Sequence, residues 1–221
     1  CIRDRAYAAH TAAKACPDMD SLLRQDYNIL VEAASIEAVR DHLQEALTAG
    51  KDVVVLSVGA LADREFLRDV RAQARRAGRR IHVPSGAIFG LDNLKVARIC
   101  GLERLLLKTT KHPRSLGLAE LESPRLLFRG SAAQAVRAFP KNINVSAALG
   151  LATDIEPAVE LWADPAAISN RHEILAEGPF GTLSLCAENL PSPENPATSY
   201  LAALSVLTLL QSLEDPVRVG T

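Results

Sequence analysis

Apolar residues come in short runs over the first hundred positions, and an amphipathic segment follows each run. The runs NILVEAAS, DVVVLSVGA and RIHVP occupy 28–35, 52–60 and 80–84. Between them, apolar positions recur every three or four residues at about 36–49 and 62–77. Strands that are apolar on both faces and alternate with amphipathic helices predict a parallel sheet covered on both sides. An Ala-rich segment before the first run predicts a further helix over 5–16.

The pattern changes after Gly101, where strand-like segments predominate. Leu- and Val-containing runs, one of them alternating late in its length, predict strands at 102–112, 125–130, 158–165, 170–178 and 181–189. Helices are predicted at 131–139, 143–152 and 197–213, and the last of these is apolar nearly all round. Strands beside helices indicate an α+β unit with a mixed, open sheet. We expect one face of that sheet to pack on helices and the other to pair with a second copy of the chain.

The turn after the third apolar run is the first candidate for a site. Its segment, residues 80–94, passes from a strand through Ser85-Gly86-Ala87 into a helical stretch. Carboxyl ends of parallel strands border a crevice, and small residues allow a ring or a phosphate to approach the backbone. An ordinary strand-to-helix turn would have the same composition.

Composition narrows the class of partner. The 221 residues carry a formal net charge of −1, which gives no basic surface for nucleic acid or anionic lipid and favours a small-molecule substrate. No apolar run reaches the ~20 residues of a membrane span. The four cysteines are scattered, without metal-ligand spacing. We therefore expect reduced thiols in a cytoplasmic protein and no metal site.

Several segments together resemble the L-aspartate dehydrogenase family, in order and over nearly the whole chain. They are VEAAS, VVLSVGAL, PSGAIFGLDN, LLLKTTKHP, GSAAQAVRAFPKNINVSAAL, ADPAAISNRHEI and NPATSYLAALSV. The resemblance implies NAD(P)-dependent dimers that convert L-aspartate to iminoaspartate, then oxaloacetate and ammonia, for NAD biosynthesis. It implies an α/β plus α+β fold, with a Rossmann-type domain at 1–101, a catalytic and dimerisation domain at 102–194, and a C-terminal helix at 195–221 between them.

One feature departs from the family pattern. A Rossmann domain begins with a strand and a G-x-G-x-x-G turn, and this sequence contains no such motif. Aligned by eye, CIRDR falls at the end of the second Rossmann strand, so about 30 residues, the size of a strand, a helix and their turn, would be absent. We expect the sequence to be incomplete, or else to be a fragment without catalysis.

Among the five histidines, His172 is the strongest catalytic candidate. It lies in NRHEI, at the start of a strand after a loop, where a ring can face a crevice. A solvated histidine would fit the same position, but the resemblance implies the catalytic residue there. An imidazole with a pKa near 6.5 can accept a proton from the substrate's ammonium group or activate the water that hydrolyses the imine. His10 and His42 are predicted on helix surfaces, His82 is predicted to be packed, and His112 is a weak candidate.

The resemblance also implies cofactor-binding residues. Ala87 would contribute its backbone and its small size, and Asn142 or Asn144 would bind the nicotinamide carboxamide, although either asparagine could simply cap a helix. Asp4 would accept hydrogen bonds from the adenosine ribose, which favours NAD, whereas the adjacent Arg3 and Arg5 would suit NADP. Lys141 and Arg171 could pair with the carboxylates of the substrate, or could be surface charges.

Two other functions fit parts of the sequence. The first is another two-domain NAD(P)-dependent reductase, of the dihydrodipicolinate reductase type, although the paired-histidine E-x-H-H motif is absent. The second is a truncated, non-catalytic homologue that acts as a dimerisation module. An upstream G-x-G-x-x-G strand-turn-helix would distinguish an enzyme from such a fragment.

Overall fold

Two β-sheets organise the chain, one parallel and one mixed. The computed structural model describes residues 11, 13–139, 144–193, 198–217 and 219–220. The candidate residues Arg3, Asp4, Arg5, His10, Lys141 and Asn142 lie outside the described residues.

The first sheet is parallel and has the order β1-β2-β3. Its strands are β1 (Ile29–Glu32), β2 (Asp52–Val55) and β3 (Ile81–His82). The prediction of a strand reaching residue 60 was wrong, because a 3-10 turn over Val58–Ala62 follows β2. The Ser57 amide and hydroxyl both donate to the carboxylate of Glu32, at 2.9 Å each, and this contact directs the chain away from the sheet.

Helices α1 (Met19–Leu23), α2 (Ile36–Thr48) and α3 (Arg64–Ala77) belong to this part of the chain. The Ser35 hydroxyl accepts from the Ala38 amide and caps α2. The predicted apolar stripe of α2 faces the sheet, with Val39, Leu43, Ala46 and Leu47 buried. The helix predicted over 5–16 was wrong for residues 13–16, which have no regular structure; Pro17 disfavours a helical conformation in the residue before it.

The second sheet is mixed, as predicted, and has the order β5-β6-β4-β7-β8. Strand β4 pairs parallel with β6 and antiparallel with β7, and the two outer pairs are antiparallel. The strands are β4 (Arg104–Lys111), β5 (Arg125–Ser131), β6 (Ala158–Ala163), β7 (Asn170–Gly178) and β8 (Gly181–Asn189). The bounds of each strand lie within two residues of those predicted, because the apolar alternation of each segment marks a strand with one buried face.

The other helices of the described residues follow β3 in the chain. They are α4 (Leu91–Leu94), α5 (Ala97–Cys100), α6 (Ala132–Ala138), α7 (Asn144–Thr153) and α8 (Tyr200–Glu214), with a 3-10 turn over Pro113–Leu116. Leu107 of β4 and Ile174 of β7 pack with Ile88, Leu94 and Leu149 in one buried cluster. This cluster joins the turn after β3 to the second sheet.

The opposite face of the second sheet carries charged side chains at the alternate positions. Lys108 contacts Glu173 at 3.0 Å, and Arg129 contacts Glu160 at 3.0 Å. Helix α8 has a comparable asymmetry, since Ser205 and Val206 are buried whereas Leu204 and Leu207 are 38% and 58% exposed. Within the described ranges, no helix combines the length and the apolar character that a bilayer span requires.

Candidate active site

The side chain of His172 lies on the buried face of the second sheet, where it is 6% exposed. Its position in β7 is opposite Thr109 in β4 and Ala187 in β8. The Thr109 hydroxyl is 3.0 Å from His172 Nδ1, within hydrogen-bond distance. Two neighbouring strands therefore fix both the backbone and the ring of His172.

The environment of His172 keeps its imidazole neutral. Burial, reinforced by the positive charge of Lys111, lowers the pKa of His172 from 6.5 to about 4. Removal from water disfavours the imidazolium, and a nearby cation disfavours it further. At neutral pH the ring is therefore a proton acceptor, which is the state that a general base requires.

The turn after β3 is held against the second sheet by two side chains. Asn189, the last residue of β8, is 3% exposed, and its Nδ2 donates to the Ala87 carbonyl oxygen at 2.7 Å. On the other side of the turn, the Gly86 amide donates to the Ser205 hydroxyl of α8 at 3.1 Å. The sequence-predicted site residue Ala87 therefore lies at the junction of the two sheets and α8.

A second link joins the start of α7 to the turn after β2. Asn144 Oδ1 accepts a hydrogen bond from the Gly59 amide at 3.0 Å. The adjacent turn after β1 is fixed by Glu32, whose carboxylate accepts from the amides of Ala34 and Ser35 at 2.8 and 3.1 Å, in addition to Ser57. All three strand-end turns are thus positioned by hydrogen bonds, and Asn144 lies at one of them.

These turns provide surroundings that a dinucleotide can fit. Gly86 has φ 68°, and a Cβ built there would meet no atom within 4 Å, so the space over this turn is open. Ala33, Ala34 and Ala87 add only methyl groups. Small residues at the carboxyl ends of parallel strands allow a flat ring to lie against the backbone. Ala87 and Asn144 are the described residues that would hold a nicotinamide dinucleotide here.

The remaining candidates have other surroundings. Arg171 lies on the opposite face of the sheet from His172 and contacts Glu173 at 3.2 Å and Glu188 at 3.5 Å, as a surface charge does. His42 is on the surface of α2 and contacts Glu45. His82 is half-buried in β3, and burial lowers its pKa. The ring of His112 accepts from the Arg114 amide and caps a 3-10 turn.

Three residues beside the site were missed by the sequence reasoning: Thr109, Lys111 and Asn189. Their neighbours in the site are 63 to 102 positions away in the chain, as the separations of the two hydrogen-bonded pairs show. The sequence signal available for Thr109 and Lys111 was their shared spacing of two within a predicted strand, which places them on one face. Which partner strand lies beside that face is not a local property of the sequence.

Among the described residues, no group of three or more His, Cys, Asp or Glu side chains is arranged to hold a metal ion. The site thus consists of an imidazole, a hydroxyl, an ammonium group and amide side chains, next to turns of small residues.

Known families match both parts of the chain. The profile described as aspartate dehydrogenase, C-terminal, matches residues 92–213. The profile described as homoserine dehydrogenase, NAD binding domain, matches residues 2–84.

Individual relatives agree with these profiles. L-aspartate dehydrogenase from Methanospirillum hungatei is 51% identical over 209 residues, which cover 95% of this chain and 82% of that protein. The L-aspartate dehydrogenase of Methanocaldococcus jannaschii is 41% identical, with 98% and 85% covered. The crystal structure of an aspartate dehydrogenase from Thermotoga maritima superimposes with a TM-score of 0.79 at 30% identity, covering 94% of this chain and 88% of that one.

Proposed function

Because this chain belongs to the aspartate dehydrogenase family, we propose that it oxidises L-aspartate with NAD(P)⁺ as the hydride acceptor. The observation that supports this most directly is a buried, neutral histidine on the face of the second sheet that meets the turn of small residues after β3. A proton acceptor and the place for a hydride acceptor are the two elements that oxidation of an amine requires.

The nicotinamide ring, when bound, accepts the hydride from the α-carbon of L-aspartate. The protein's own part is to orient the amine and to remove protons. His172 accepts a proton from the ammonium group, so that the nitrogen lone pair is available as hydride leaves the carbon. Once it has passed that proton to solvent, the same imidazole can activate the water that converts the imine product to oxaloacetate and ammonia.

Thr109 engages Nδ1 of the His172 ring, which leaves Nε2 as the nitrogen that can act on the substrate. If His172 Nδ1–H donates to the Thr109 oxygen, Nε2 carries the lone pair that accepts a proton. This tautomer gives the imidazole one fixed orientation. Because both side chains are buried, water competes little for the hydrogen bond.

The cofactor is held in part by residues described above. Ala87 contributes a backbone close to the ring, and the Asn144 side chain carries an NH₂ group that can donate to the nicotinamide carboxamide. Asp4 and Asn142 complete the proposed set, and the sequence supports them as ribose- and carboxamide-binding residues. Both NAD and NADP are accommodated by this proposal.

We also propose a homodimer in the cytoplasm. The face of the second sheet opposite His172 is available for a second copy, and its apolar residues Leu106, Trp162 and Leu175 are only partly covered. Cys16, Cys100 and Cys186 are free thiols, in accord with a reducing compartment.

The test measures the oxidation of a panel of amino acids by the full-length protein. The formation of NAD(P)H is monitored by its absorbance. L-aspartate should be oxidised with a higher kcat/KM than L-glutamate, L-alanine or L-homoserine. Homoserine is included because the N-terminal profile is named for a homoserine dehydrogenase. Oxidation of homoserine without oxidation of aspartate would contradict the proposal.

A further inference from the structure

Lys111 occupies a fixed position at the end of β4. It pairs with Ala163 of β6, which is fully buried, and its carbonyl oxygen accepts from the Asp164 amide at 2.9 Å. The side chain therefore leaves a backbone that is restrained by the neighbouring strand.

The side chain of Lys111 is on the same face of the sheet as His172. Thr109 meets His172 across the β4–β7 pair, and Lys111 is two residues further along β4. Side chains two residues apart on a strand point to the same face, and diagonal neighbours on adjacent strands are roughly 7–8 Å apart at their Cα atoms. A lysine side chain readily spans that separation.

Lys111 is exceptional on this face. Among the described residues of β4, β6 and β7 whose side chains lie on the same face of the sheet as His172, Lys111 alone carries a formal charge. The others are Leu105, Leu107, Thr109, Val159, Leu161, Ala163, Asn170, Ile174, Ala176 and Gly178. The charged residues of these strands otherwise lie on the opposite face, where Lys108 and Glu173 pair.

The pKa values of Lys111 and His172 are both shifted toward the neutral forms of these side chains. The Lys111 charge contributes to the lowered pKa of His172, and burial lowers the pKa of Lys111 itself. A cation that is partly removed from water gains more from an anionic ligand than an exposed cation does, since the intervening dielectric is lower. An anion bound at Lys111 would lie directly beside the imidazole.

We propose that Lys111 binds a carboxylate of the substrate next to His172. This inference rests on the proposed function, and it names the residue that recognises the dicarboxylic substrate. Each carboxylate of L-aspartate is within two bonds of the α-carbon, so a carboxylate on Lys111 places that carbon and its amine beside His172. Binding would also neutralise the ammonium charge that disfavours the imidazolium, and would thereby make His172 a better proton acceptor once substrate is present.

The kinetic test uses Lys111→Met, which keeps the length of the side chain and removes its charge, and Lys111→Arg, which keeps the charge. Lys108→Met, on the same strand but the opposite face, is the matched control. A hydrogen bond to a charged group is worth about 1.5–3 kcal/mol, so Lys111→Met should raise KM for L-aspartate at least ~10-fold. KM for the cofactor should change less than about 2-fold, Lys111→Arg should recover part of the loss, and Lys108→Met should resemble the wild type.

Two ketoacid substrates distinguish which carboxylate of the substrate Lys111 binds. In the reductive direction with ammonia, oxaloacetate carries both carboxylates and pyruvate only one. If Lys111 holds the side-chain carboxylate, Lys111→Met will reduce kcat/KM for oxaloacetate and leave that for pyruvate unchanged. If it holds the α-carboxylate, both values will fall together. Either result supports the inference.

Chemical labelling of lysines in the wild-type protein tests the same inference and does not require a variant to fold. Acetic anhydride labels accessible amines, and mass spectrometry quantifies each lysine. Succinate, a dicarboxylate without an amine, should protect Lys111 in the presence of NADH and leave Lys108 labelled as before. Unchanged labelling of Lys111, or an unchanged KM for L-aspartate in Lys111→Met, would overturn the inference. An inactive wild type would instead overturn the proposed function on which the inference rests.

Discussion

Thr109 and His172 meet across two antiparallel strands with Oγ1 and Nδ1 3.0 Å apart, and both side chains are buried. The hydroxyl restrains the plane of the imidazole, and in the tautomer whose Nδ1–H donates to Oγ1, Nε2 is the proton acceptor. An imidazole held in this way retains a single orientation.

Removing this hydroxyl should slow catalysis without weakening cofactor binding. Thr109→Val keeps the shape of the side chain and deletes the hydrogen bond, so we expect kcat to fall about 5- to 10-fold, the equivalent of a net hydrogen bond of ~1–1.5 kcal/mol. Thr109→Ser should restore most of the rate because it restores the hydroxyl. An unaltered kcat in Thr109→Val, measured beside an unaltered KM for NADH, would show that the hydroxyl has no part in the reaction.

The pH dependence of stability should carry a signature of His172. Its folded-state pKa is lowered from 6.5 to about 4, so between these values the unfolded chain binds more protons. Stability is therefore lost as pH falls from about 6.5 toward 4, by up to roughly 3 kcal/mol at about 1.4 kcal/mol per unit. Above about 6.5 the residue contributes no pH dependence.

Urea unfolding at several pH values tests this, with His172→Gln as the reference. Because His82 titrates in both proteins, the difference between their curves isolates His172. We expect the wild type to lose more stability than His172→Gln between pH 6.5 and pH 4.5. Parallel curves would mean that His172 titrates normally in the folded protein.

Asn189 should couple the second sheet to the cofactor-binding turn. Asn189→Leu removes the donor to the Ala87 carbonyl and keeps the volume of the side chain. Leaving a buried acceptor without its partner costs about 1–3 kcal/mol, so the midpoint of thermal unfolding should fall and the Kd for NADH should rise. Thr182→Val, an exposed position near the other end of β8, should leave both values unchanged. A normal Kd for NADH in Asn189→Leu would separate the turn from cofactor binding.

A charge on the open face of the second sheet should prevent dimerisation. Leu175 lies on that face, between buried positions that point the other way. Leu175→Glu places an uncompensated carboxylate at the centre of the proposed interface, so sedimentation equilibrium should report one chain where the wild type has two. A monomeric wild type, or a dimer that persists in Leu175→Glu, would rule out this interface.

Much of the fold could be predicted because its signals are local. The apolar stripe of α2, the Ser35 cap and the alternation in β4 and β7 are each encoded within a few neighbouring residues. The end of β2 was not predicted, because the chain there follows hydrogen bonds from Ser57 to Glu32, which is 25 positions away.

The candidate site likewise contains some residues that a local sequence pattern indicates and others that it does not. His172 could be chosen as the catalytic candidate because a motif surrounds it, and the two-residue period of a strand correctly separates it from Glu173, which pairs with Lys108 on the other face. Thr109, Lys111 and Asn189 join the site only through the pairing of β4, β7 and β8. That pairing depends on strand order, which no local pattern contains.

The role of His172 as the proton acceptor is tested most directly by comparing His172→Ala with Glu173→Ala in the full-length protein. A positioned general base is typically worth ~10²–10⁴-fold, so His172→Ala should lower kcat for L-aspartate oxidation at least ~10²-fold while the Kd for NADH stays nearly unchanged. Glu173→Ala removes a surface ion pair on the opposite face and should retain most of the activity. Near-normal turnover in His172→Ala, with cofactor binding intact, would contradict the account.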